Sequence, residues 1–158
     1  MKIYLSKDDL NSRLRTIGRI IKRNSITTEL ESFKFDVKED GIELTGADTE
    51  GELSSFLPCR VEAFEASVFL VNSKTILDAL KELPEQPLII EVKKTDKSIN
   101  LKLNYHNGAF EFVGMKADLF PSMREVDNPV TATLKGSLLT QALRTVSKFT
   151  GYDDLRPI

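Results

Sequence analysis

Along the first 116 positions the apolar residues switch between a helical period and strict alternation, and the same succession of periods comes round twice. Met1 to Leu5 is a short run of β type. Ser6 follows as a candidate helix N-cap, with Asp9 three residues on as a short-armed capping box. From Lys7 to Arg23, Leu10, Leu14, Ile17 and Ile21 keep a helical spacing, which predicts a helix with one buried stripe. Three alternating runs come next, SFKFDVKE, IELTGAD and ELSSFLPCRV, with EDG and TEG as turns between them. Then ASVFLV reads as a strand, and Asn72 and Ser73 can cap a helix through Leu83 that Pro84 stops. PLIIEVKKT, SINLKLNY and AFEFVGM are three further strands, with the turn HNG between the last two. The pattern predicts strand, helix and three strands, twice over: an α+β domain with two helices and about eight strands. The alternation in FKFDV and INLKLN suits antiparallel sheets with one solvated face.

ADLFPSMREVDNP (117–129) carries a proline near each end and reads as a link. The expected division is a first domain over 1–120, a linker over 121–129 and the beginning of a second domain over 130–158. Sliding the chain by 129 positions sets Leu5 on Leu134, Leu10 on Leu139, Leu14 on Leu143, Arg15 on Arg144 and Thr16 on Thr145. Ile17 then meets Val146, and Arg19 meets Lys148. A strand, VTATL, and a helix from Ser137 to Phe149 are predicted to return in the same order. Recurrence of charged as well as apolar positions marks an architecture assembled from like units.

Composition narrows the possible functions. The 158 residues suit one domain, or one and part of another, with 41% hydrophobic and 29% charged residues, the balance of a soluble globular chain. The single cysteine, Cys59, rules out an internal disulfide and suits a reducing compartment. The opening MKIYLSKDDL lacks the apolar core of a signal peptide, so a cytoplasmic location is expected, without a membrane partner. Net charge is −2, which argues against a generic coat for nucleic acid, yet the distribution of charge says more than the sum.

On a helical wheel with Leu10 at zero, Leu14, Ile17 and Ile21 fall within about 20 to 40°, and Arg15, Arg19, Lys22 and Arg23 at about 120 to 220°. Arg144 and Lys148 repeat the outward angles of Arg15 and Arg19. The second helix shows Lys74 and Lys81 outward, diluted by Asp78 and Glu82. A set of like domains with basic helix faces could line a common polyanion-binding surface, touching phosphates without reading bases. No zinc-ligand spacing is present, and the aromatics sit mostly at apolar strand positions.

The residues closely resemble the bacterial DNA polymerase III β subunit, the sliding clamp. The likeness rests on MKIYLSKDDLNSRL, IELTGADTEGEL, ILDALKELPEQPLIIEV, FEFVGMKADLFPSM and the closing DDLRPI, in that order across nearly the whole chain. It implies the DNA-clamp fold: three copies of one domain per subunit, with two helices of each copy facing a central channel and sheets outside. It implies a head-to-tail homodimer ring in the full-length form, which encircles duplex DNA and tethers the DNA polymerase III catalytic subunit. A clamp-loader ATPase would open the ring. No catalytic residue, cofactor or metal is implied. By the same resemblance Tyr152 lies where the family can touch DNA. Arg156 lies at the rim of a pocket for partner peptides. Phe110 lies at the edge that pairs with a neighbouring subunit, or else is an ordinary core aromatic.

Two departures stand out. Where the family has a TLPIL-like segment this chain reads SITTEL (25–30), so the basic loop entering it is expected to be posed differently. The chain as given stops at Ile158, before most of a second domain and any third, so alone it is not expected to form the usual ring, and residues 130–158 are expected to be mobile or held by another chain. Catalysis finds little support. His106 sits in a turn, Asp48 and Glu50 lie close together at the TEG turn without an evident convergent partner, and Cys59, read as part of a strand, suits burial better than attack. The alternative is a clamp-like interaction module that binds a protein through its edge strand and never encircles DNA.

Overall fold

The computed structural model describes residues 1–22, 27–95, 98–121 and 127–149. Two compact units divide the chain, Met1–Met123 and Arg124–Ile158.

In the first unit, β1 (Lys2–Ser6) leads directly into α1 (Lys7–Ile17). Ser6 is the N-cap: its Oγ accepts the Asp9 N–H at 3.3 Å, and Asp8 and Asp9 place negative charge in the first turn. The helix is six residues shorter than the apolar spacing predicts. It ends at Gly18, whose backbone is still right-handed helical and whose missing side chain lets Phe33 close in: a Cβ there would lie 3.3 Å from Phe33 Cζ and 2.9 Å from the Leu14 carbonyl oxygen. Beyond it, tighter turns take over, Arg19 N–H to Thr16 O and Ile20 N–H to Ile17 O.

The strands β2 (Ser32–Lys38), β3 (Gly41–Ala47) and β4 (Glu52–Pro58) form a meander. The predicted run ELSSFLPCRV breaks at Cys59, and β5 (Arg60–Glu62) belongs to a different sheet. Pro58, opposite Gly41, ends the ladder, and the Cys59 N–H turns to Asp40 O at 3.2 Å. Next come β6 (Ser67–Asn72) and α2 (Ser73–Lys81), capped by Asn72 Oδ1, which accepts the Thr75 N–H at 3.1 Å. This helix stops two residues before Leu83. The unit ends with β7 (Pro87–Lys94), β8 (Ile99–Tyr105) and β9 (Gly108–Gly114).

Two antiparallel sheets result, one ordered β5-β1-β7-β8-β9 and the other β4-β3-β2-β6. Paired backbone hydrogen bonds between Leu70 and Met115, both 2.9 Å, join β6 to the chain leaving β9. The helices pack on each other, α1 also on β1, β3 and β4, and α2 on β2 and β6. One core holds Leu10, Leu14 and Ile17 with Phe33, Phe35, Ile90 and Leu103, all nearly inaccessible to solvent. Phe35 and Phe69 stack within it at 5.4 Å between centroids. The solvated face of the five-stranded sheet carries opposed charges, such as Lys102 facing Glu111 across the β8–β9 register. The head of the expected link is anchored: Phe120 is buried with Ala47 and Leu70, and Lys34 Nζ lies 5.0 Å from its ring centre.

In the second unit VTATL forms no strand; among the described residues it has no ladder to join. A strand gains its hydrogen bonds only from a neighbour, so alternation alone leaves it irregular. The helix returns as α3 (Gly136–Val146), and every described residue from 127 to 149 is exposed.

Candidate nucleic-acid interface

The candidate interface is built from the helix faces that look away from the core. On α1, burial of Leu10, Leu14 and Ile17 turns Arg15 outward, exposed and without an ion pair to any described residue. Arg13 goes elsewhere, its guanidinium donating to Ser55 Oγ on β4 at 2.8 Å. Arg19 is exposed too, but it sits in the turn past Gly18, so helical-wheel angles do not describe it. Lys22 lies further along the same irregular segment. Arg23, assigned with it, lies outside the described residues.

Lys22 has a convergent partner that the sequence did not reveal. Its Nζ is 3.1 Å from Asp48 Oδ2 and 3.9 Å from Glu50 Oε2, across the β3–β4 turn. Asp48 also closes that turn, its Oδ1 accepting the N–H groups of Glu50 at 2.8 Å and Gly51 at 2.9 Å. The Glu50 N–H, the Lys22 ammonium and the Gly51 N–H together hold the Asp48 carboxyl below the usual carboxylate range. The D-x-x-G spacing of 48–51 is a legible Asx-turn signal, whereas nothing local points to a lysine so far upstream.

On α2, Lys74 is exposed at the first turn and Lys81 at the last. A cleft of about 320 Å³ between the end of α1 and the start of α2 brings Lys22 and Lys74 together with Glu31. Lys81 lies at the far end of its helix, away from that cleft. Arg15, Lys81 and Arg144 each occupy the last turn of a helix, where a cation also offsets the carbonyl end of the macrodipole. That structural benefit accompanies any role toward phosphate.

The second unit repeats the first helix position by position. α1 spans 7–17 and α3 spans 136–146, each 11 residues, offset by the 129 positions of the sequence repeat. Thr16 Oγ1 donates to Ser12 O at 2.9 Å, and Thr145 Oγ1 to Gln141 O at 3.0 Å. The Gly18 N–H closes on Leu14 O, and the Ser147 N–H on Leu143 O. Arg144 and Lys148 are both exposed, as are Arg15 and Arg19. The N-terminal turns differ: Lys135 stands where Ser6 did and makes no side-chain capping bond, and the acidic first turn of α1 has no counterpart in α3. Tyr152 and Arg156 lie outside the described residues.

Phe110 sits on β9, the edge of the five-stranded sheet, half-buried with its ring 5.3 Å from that of Tyr105. It is both a core neighbour and an edge residue. His106 is exposed in the β8–β9 turn. Cys59 is half-buried between strands rather than within one, and burial pushes its thiol up to about 11. Among the described residues no group of His, Cys, Asp and Glu could hold a metal ion, and no helix is long and apolar enough to cross a membrane.

Comparison with known proteins places this architecture. Curated relatives include the beta sliding clamp of Helicobacter pylori, 24% identical over 93% of this chain and 38% of its own length. That of Bacillus subtilis is 21% identical over 100% of this chain and 43% of its own. The chain therefore spans about two-fifths of the length of these relatives. The Helicobacter pylori beta clamp solved with a DNA ligase peptide superposes with a TM-score of 0.84 at 22% identity, covering 99% of this chain and 42% of that one. The beta subunit of Streptococcus pyogenes DNA polymerase gives 0.85 at 18% identity, covering 99% and 41%. These likenesses establish the clamp fold. Residues 1–124 match the family model of the DNA polymerase III beta subunit, N-terminal domain, and the chain belongs to that family.

Proposed function

We propose that this chain supplies the first domain of a sliding clamp and the beginning of the next, and that it serves as a non-catalytic processivity factor on duplex DNA. Within a chain of this family, the observation that carries the reading is the recurrence of α1 as α3 with Arg15 and Arg19 matched by exposed Arg144 and Lys148. Four such cations, free of ion pairs with described residues, give screened contacts to phosphate and no hydrogen-bond code for bases. Loose contact is what sliding requires, because a ring holds DNA by topology and tight base recognition would stop it.

In the full-length protein the partners are duplex DNA, the DNA polymerase III catalytic subunit and the clamp loader, in the cytoplasm. Arg23, Lys74, Lys81 and Tyr152 add to the DNA-facing set, and Arg156 to the rim of a pocket for partner peptides. The edge strand β9, with Phe110 half-buried and Val113 76% exposed, is suited to pair with a neighbouring subunit. The same open edge favours the second reading, a module that binds only protein.

Duplex affinity against salt separates the two. Four phosphate contacts give log K a slope of about −3.6 against log salt, and the double variant R15E/R19E should flatten it to about −1.8. A chain with no duplex affinity at low salt, unchanged by that charge reversal, is the protein-only module.

A further inference from the structure

The end of β3 and its turn into β4 hold the end of α1 and the segment that leaves it in two ways. One is apolar. A Cβ on Gly46 would come 2.7 Å from Ile17 Cγ2 and 3.3 Å from Ile21 Cδ1, so only a glycine allows these isoleucines to lie against the strand. The other is the ion pair of Lys22 with Asp48. The Asp48 side chain is 11% exposed and already fixed by two backbone N–H groups, whereas the lysine is 63% exposed. Glu50, at 3.9 Å and 82% exposed, adds a weak second contact.

A carboxylate immobilised by its own turn offers Lys22 what a DNA phosphate would offer, an anionic oxygen at contact distance. It does so with little ordering left to complete, since the turn holds it whether or not the lysine is there. We propose that Asp48 is a positioning residue that occupies Lys22 as an internal substitute for phosphate, withholding one cation from the duplex while keeping the basic segment docked on the β3–β4 turn. The inference rests on the DNA-binding reading above. For a protein that slides, fewer simultaneous phosphate contacts mean fewer counterions to exchange at each step.

Asp48→Asn isolates the charge, because the amide keeps an oxygen for the Glu50 and Gly51 N–H groups and the turn survives. The salt slope of duplex binding should steepen in D48N by up to about 0.9, the value of one more phosphate contact. Adding Lys22→Gln to D48N should cancel that gain. Equal slopes in wild type and D48N would overturn the inference, and so would a steepening that persists in the double variant, which would be a field effect of the lost carboxylate. Absence of any duplex affinity in the wild type would instead overturn the functional reading, and the role of the pair with it.

Should D48N fail to fold, the wild-type chain decides by amine acylation read by mass spectrometry. Lys22 should label severalfold more slowly than Lys74 at low salt, with the difference closing at high salt. Equal reactivity at low salt would overturn the inference.

Discussion

Cys59 shows how a residue's chemistry follows from where the backbone puts it. The sequence places it inside a long strand. Pro58 instead ends the β3–β4 ladder, and the thiol is left half-buried at the crossing between sheets, near Asp40. Burial is the larger cause of its raised pKa and the Asp40 charge the smaller; both disfavour the thiolate, which is the reactive form. With the pKa at about 11, alkylation by iodoacetamide near pH 8 should run about a hundredfold slower than for a free cysteine. The rate should keep rising past pH 10 instead of levelling near 9. A plateau near pH 9 in a pH–rate series on the folded chain would show that the thiol is solvated. The helix caps at Ser6 and Asn72 were legible because capping is local chemistry, a side-chain oxygen and an N–H three residues on. The Lys22–Asp48 pair was not, because only the fold brings α1's exit to the β3–β4 turn.

The same contrast governs the elements. Apolar periodicity located both helices of the first unit and most of the strands, but it overran α1 by six residues, since Ile21 keeps the period although the regular helix has already given way to tighter turns after Gly18. Periodicity records which side chains want burial, not which backbone hydrogen bonds form, and after Gly18 those bonds tighten to the third residue back. VTATL fails for a related reason: its alternation is real, but a strand is completed by a neighbour. The repeat lets these effects be compared at equivalent positions. Leu14 is fully buried and Leu143 is 57% exposed, on helices of equal length. Leu14→Ala should cost about 2 to 5 kcal/mol in urea unfolding of this 158-residue chain. Leu143→Ala should stay within about 0.5 kcal/mol, as befits an exposed site. A comparable loss at Leu143 would mean that its apolar face is covered in solution.

For the molecule as a whole, the two units differ in what can hold them together. The first has a contiguous core that ties α1, α2 and both sheets into one cooperative body, whereas no side chain of α3 is buried. The arrangement of the sheets was only half legible. Antiparallel pairing followed from the alternation and the short turns, but not the exit of β5 into the second sheet, nor the bond between Leu70 and Met115 that joins them. Likewise the basic helix faces were legible, while the partition between free and paired cations was not. Amide exchange should expose the inequality between units. An 11-residue helix without buried contacts or a side-chain cap gains little beyond its own backbone bonds, which are marginal in water below about 12 to 15 residues. Its amides should therefore exchange by local opening, whereas those of α1 and the central strands should require unfolding of the first unit. Adding duplex DNA would slow exchange in α3 only if Arg144 and Lys148 hold phosphate and the helix must be formed to present them. Protection of α3 as strong as that of α1 in the free chain, at dilution, would show that its apolar face is already occupied, and the two helices would then be equivalent in energy as well as in sequence.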